Sequence, residues 1–104
     1  DPETYQCALV NYYIERCRQN REQNRPKKAL AWCEKADALS KKLGGRPATR
    51  AYLLHDAALL LRCLGETEKS LSLINEAMDC ARLALSPDSP EFLEISRDWK
   101  KMNP

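Results

Sequence analysis

Four short clusters of turn-forming residues divide this chain, and between them nothing interrupts a helix. The clusters are Asn24-Arg25-Pro26, Gly44-Gly45-Arg46-Pro47, Gly65-Glu66-Thr67 and Ser86-Pro87-Asp88-Ser89-Pro90. Glycine tolerates the left-handed conformation that stops a helix, and proline suits the first turn of the next one. Ser89-Pro90-Glu91 adds a helix start: a capping hydroxyl, a proline at the first position and an early carboxylate. The stretches between the clusters are therefore predicted to form five helices, over about 3–21, 26–43, 47–64, 67–85 and 90–102.

Apolar spacing supports the same division. The first stretch sets Tyr5, Leu9, Tyr13 and Cys17 on one stripe, with Tyr12 beside it. The second has Ala29, Leu30, Cys33, Ala36 and Leu43, flanked by Trp32 and Leu39. The fourth repeats the scheme with Leu71, Ile74, Ala77, Met78, Ala81 and Leu85, and the last offers Phe92, Ile95, Trp99 and Met102. Such spacings mark helices buried on one side. The third stretch differs, being apolar nearly all round except for His55 and Asp56, so it is predicted to be central and the most buried. Period-two alternation is absent and β-branched residues are scarce, which makes the fold class all-α. A chain of 104 residues fits one domain, 1–104, with a modest core.

Composition narrows the function classes. A net charge of +2 argues for neither nucleic acid nor an acidic membrane. No apolar run exceeds the five residues of Ala57 to Leu61, far below the ~20 residues of a spanning helix. Five cysteines, at 7, 17, 33, 63 and 80, form no CxxC pair and sit among apolar neighbours. They read as free thiols in a reducing compartment, the cytoplasm or the nucleus. The abrupt ends, Asp1-Pro2 and Asn103-Pro104, suggest a segment of something longer.

The chain also repeats itself. At an offset of 41 residues Asn24 meets Gly65, Lys28 meets Lys69, Leu30 meets Leu71, Ala36 meets Ala77, and Ala29 meets Ser70. Periods of ~20–50 residues indicate stacked helical units. Leu54-x2-Ala57-Ala58-x2-Leu61 followed by Ser70-x3-Ile74 and Ala77 resembles the tetratricopeptide repeat family. The first unit matches more loosely, as Tyr13-x2-Arg16-Cys17-x2-Asn20 and then Ala29-x3-Cys33 and Ala36. Arg16 and Asn20 stand where the family places apolar groups, which predicts a frayed or register-shifted end of the first helix. The resemblance implies two antiparallel hairpins, about 3–43 and 47–85, closed by a capping helix over about 90–102.

By the same resemblance the first helix of each hairpin lines a concave groove that holds a peptide or helix of another protein. Matching the family's groove positions one at a time names Asn11, Ile14, Arg18 and Arg21 from the first helix and Tyr52, His55, Leu59 and Arg62 from the third. The family's two-carboxylate clamp needs lysine and asparagine where this chain has Ile14 and Arg18, which disfavours a receptor for chaperone tails. The implied partner is a protein or peptide with acidic or phosphorylated groups. Self-association through an exposed hairpin face is the alternative, and a nucleic-acid-binding helical domain ranks below both.

Chemistry finds little purchase. His55 is the only histidine, and Asp56 points about 100° away from it on a helix, so no acid–base pair arises from sequence neighbours. No phosphate loop and no metal-ligand spacing is present, and neither enzyme activity, cofactor nor metal is expected. The basic run Arg16, Arg18, Arg21, Arg25, Lys27, Lys28 reads as a solvated helix end, with a patch for acidic peptide, phosphopeptide or RNA as the alternative; it has no interleaved aromatics, which lowers the RNA version. Trp32 and Trp99 read as packing residues, with a place on a binding surface as the alternative.

Overall fold

In the computed structural model, which describes residues 2–104 and so leaves Asp1 of the expected domain outside, three of the four breaks share one hydrogen-bonding device. The Arg25 amide donates to the Asn20 carbonyl at 2.8 Å and the Asn24 amide to the Arg21 carbonyl at 3.0 Å. Glu66 and Gly65 make the same pair of bonds to Leu61 and Arg62, and Gly45 and Gly44 make them to Ser40 and Lys41. The residue at the bend takes positive φ each time: 59° at Asn24, 81° at Gly65 and 108° at Gly44. This double bond satisfies carbonyls that a helix end leaves open, and it requires a residue that accepts the left-handed region. At the fourth break the Ser89 hydroxyl accepts the Phe92 amide at 3.2 Å, the cap expected from its side chain.

The helices so delimited are α1 (Pro2–Glu22), α2 (Pro26–Lys42), α3 (Pro47–Cys63), α4 (Thr67–Ala84) and α5 (Pro90–Met102), and the described residues contain no strand. The first helix is neither frayed nor shifted. It runs unbroken through Asn20, which is buried and whose side-chain amide donates to the Arg16 carbonyl at 2.7 Å. That bond satisfies a polar group placed where the repeat puts Leu61.

Helices pair in chain order: α1 with α2, α3 with α4, α2 against α3 and α4 against α5. The buried residues of α2 are Ala29, Cys33, Ala36 and Ser40. Those of α4 include Ser70, Ile74, Ala77 and Ala81, the same four positions 41 residues later. As the sequence predicts, α3 is the most enclosed element, with Leu53, Leu54, Ala57, Ala58, Leu60 and Leu61 all buried. It lies between two apolar clusters. One gathers Cys17, Cys33 and Ala36 around Leu53, and the other joins Leu54, Ala77 and Met78 to Ile95 of the last helix. Each large aliphatic side chain so buried contributes roughly 1.5–3 kcal/mol. Two inner polar groups are matched: the Ser70 hydroxyl donates to the Ala58 carbonyl at 2.7 Å, and the Cys33 thiol to the Leu53 carbonyl at 3.2 Å.

Candidate binding surface along helices one and three

A hollow of about 370 Å³ opens where the start of α1, the end of α2 and the start of α3 converge. Asn11, Ile14 and Tyr52 meet there, three of the groove residues expected from sequence. Val10 and Leu43 add apolar lining, and Ser40, Arg46 and Thr49 bring polar groups. Tyr52 is 40% exposed, so its ring offers apolar area and a free polar tip. Partial burial, and then the Glu91 carboxylate at the start of α5, push its phenol above the usual range. It therefore remains a neutral donor at physiological pH.

The other expected groove residues are distributed differently. Arg18 is exposed and already held within its own helix, by Glu15 one turn before and by Glu22 at 2.6 Å. The hydrogen bond from Arg18 holds the Glu15 carboxyl below its ordinary value. Arg21 crosses to α3 and pairs with Asp56 at 2.9 Å. Leu59 is half-buried, one turn from Arg62. Arg62 lines a separate, smaller hollow of about 170 Å³ with Thr67, Leu71, Lys101 and Met102. His55 is buried, only 6% exposed, and its Nε2 lies 2.7 Å from Oδ2 of Asp98 on α5. It is thus turned into the α3–α5 contact. Asp98 sits 43 residues further along, which is why sequence neighbours could not reveal the partner.

The basic run is not free of aromatics. Tyr12, Tyr13 and Trp32 form a cluster with centroids 5.7–6.0 Å apart, and the Arg16 guanidinium lies 5.3 Å from the Trp32 ring. Sequence reading missed this because only the pairing register of α1 and α2 brings residue 32 beside residues 12 to 16. The cysteines carry no disulfide. Contact with Cys17, and then burial, hold the Cys33 thiol far above its ordinary range, so it is a packing group.

A larger open hollow, about 610 Å³, lies between α2 and α4, where Lys27, Glu34, Glu66 and Lys69 alternate in sign around Leu30 and Leu73. Among the described residues no group of three or more histidine, cysteine or acidic side chains could hold a metal ion, and no helix is long and apolar enough to cross a membrane. Comparison with protein-family models, with curated proteins and with solved structures finds no match for this chain.

Proposed function

We propose that this chain is a non-catalytic protein-interaction module, an adaptor or scaffold built as two tetratricopeptide-like hairpins with a capping helix. Its partner is a protein segment seated along α1 and α3. The observation that carries this reading is the hollow joining Asn11, Ile14 and Tyr52. Apolar lining, an aromatic with a wet tip and an amide able both to donate and to accept suit a peptide backbone and its side chains. The repeated burial pattern of α2 and α4 supports the two-hairpin reading. The His55–Asp98 contact, largely buried and joining α3 to α5, supports a non-catalytic role.

The arginines rank below Tyr52 in this site. Arg18 and Arg21 each have a carboxylate of their own, so a partner's acid gains only what exchange with an exposed pair allows, about 0–1 kcal/mol. A protein captured with the native chain and then titrated against Asn11→Ala/Tyr52→Ala should bind more weakly by roughly 1–3 kcal/mol. Lys27→Ala/Lys28→Ala should leave affinity unchanged. The opposite outcome moves the site to the hollow between α2 and α4. Self-association is favoured by one feature, the exposure of Leu83 and Leu93 at 80% and 57% on the last two helices. A molar mass that rises with concentration and is lowered by Leu83→Ser/Leu93→Ser would establish it instead.

A further inference from the structure

The second hairpin shows how this fold covers one flank of a hairpin. Leu53 of α3 is buried in the first hairpin's core, and Leu73 of α4 packs against the same core. Both face α2, whose Leu30, Glu34 and Asp37 line the small hollow that Leu53 and Leu73 also border. Asp37 forms an ion pair with Arg50 of α3 at 3.5 Å. An amphipathic helix edged with carboxylates therefore covers this flank of the second hairpin.

Shifted back by 41 residues, Leu53 and Leu73 become Tyr12 and Trp32 of the first hairpin. There, among the described residues, no helix lies over them. Tyr12 is 52% exposed, and its ring meets Trp32 edge-on at 6.0 Å, with Tyr13 alongside. Leu9 on α1 and Leu39 on α2 continue the stripe at helical spacing, each half-buried.

Two cations border it. Arg16 lies 5.3 Å and Lys35 4.6 Å from the Trp32 ring. The Arg16 Nε is buried with no hydrogen-bond partner, and its guanidinium reaches only Gln19, at 3.4 Å. Among the described residues neither cation has a carboxylate, whereas Arg18, Arg21 and Arg50 are each paired. The hairpin's described acids are engaged on its other sides: Glu15 and Glu22 with Arg18, Asp37 with Lys41 and Arg50, and Glu34 on the hollow facing the second hairpin. Among the described side chains this flank is aromatic, apolar and cationic, with no acid of its own.

We propose that the open flank of the first hairpin docks an amphipathic helix of a partner protein whose apolar stripe is bordered by carboxylates. The docked helix stands to α1 and α2 as α2 stands to α3 and α4. Apolar residues cover Tyr12, Leu9 and Leu39, and carboxylates meet Arg16 and Lys35 by charge-assisted hydrogen bonds. A nucleic-acid strand fits less well, because base stacking needs an open ring face and the cations already lie over Trp32. A second copy fits less well too, since the corresponding sides of its own helices are occupied. That of α2 meets the second hairpin, and that of α4 meets α5, where Asn75 accepts the Trp99 indole N–H at 2.9 Å and Met78 packs with Ile95.

The test uses a synthetic amphipathic helical peptide with leucines on one face and glutamates along both borders. Controls are the same peptide with lysine for each glutamate, and a single-stranded oligouridylate. Titrated into the isotopically labelled chain, the glutamate peptide should shift amide resonances along the Tyr12–Arg16 and Trp32–Leu39 stretches and leave Asn11 and Tyr52 unmoved. Arg16→Glu/Lys35→Glu should weaken it by about tenfold or more, and the lysine peptide should bind that variant better than it binds the native chain. The charge swap distinguishes lost recognition from lost folding, because a collapsed variant would bind neither peptide specifically. The proposal is overturned if no binding occurs by about 1 mM. It is equally overturned if both peptides bind the native chain alike, if the oligouridylate occupies these residues more tightly, or if the native chain pairs with itself through them.

Discussion

The two hairpins follow one plan and differ in what covers them. Their turns use the same pair of backbone bonds, and the four inward positions of α2 recur in α4. Yet the first hairpin fills those positions with Ala29, Cys33, Ala36 and Ser40, and the second with Ser70, Ile74, Ala77 and Ala81. The second is also held from both sides, by α2 and by α5, while the first leaves Tyr12 exposed and Trp32 only half-buried. A repeated backbone plan thus specifies where side chains point. It does not specify how much each position contributes, because that depends on the volume placed there and on the neighbour across from it.

The strongest way to probe that difference is at a pair of matched positions. Ile74→Ala should destabilise the domain by about 2–5 kcal/mol, because it empties a fully buried site that α3 and α4 cannot collapse to fill. At the matching site Cys33→Ala removes only one sulfur and should cost about 1 kcal/mol. Denaturant unfolding of both variants measures the contrast, and equal losses would mean that the two cores are equally tight. Ala36→Leu and Ala77→Leu come next. Both sites are 0% exposed, so overpacking should cost about 1–3 kcal/mol in each. A variant with a native midpoint would show that its hairpin leaves room between the helices.

A third test addresses the cover that only the second hairpin has. Asp98→Ala leaves the His55 ring buried without its partner and should cost about 1–3 kcal/mol, with hydrogen exchange quickening first in α5. Exchange that rises in α1 and α2 instead would place the contact outside the α5 docking. The smallest effect belongs to the turns. Asn24→Gly should stabilise by a few tenths of a kcal/mol, since φ of 59° strains asparagine slightly, whereas Gly65→Ala at φ of 81° should cost roughly 1 kcal/mol. Thermal unfolding midpoints shifting in opposite directions for these matched residues would bear the comparison out.

Local order was readable from the chain itself. Turn chemistry, proline placement and helical spacing act within a few residues, so the five helices, their breaks and the enclosed character of α3 follow from short stretches of sequence. The repeat was readable too, because Lys28 and Lys69, Leu30 and Leu71, and Ala36 and Ala77 are identical at the same offset as the turns. What depends on the distance between helices was not. His55 meets Asp98, Arg21 meets Asp56, and Arg16 stacks on Trp32 through pairings 43, 35 and 16 residues apart that no local pattern encodes. Of the expected groove, Asn11, Ile14 and Tyr52 converge because the middle of α1 and the first half of α3 border one hollow with the end of α2. Arg62, at the other end of α3, lines a hollow of its own, and the arginines of α1 are drawn to acids within reach. Helix formation is a local equilibrium and is written locally. Which faces meet is decided by packing and charge summed over distant residues, and only the assembled helices bring those together.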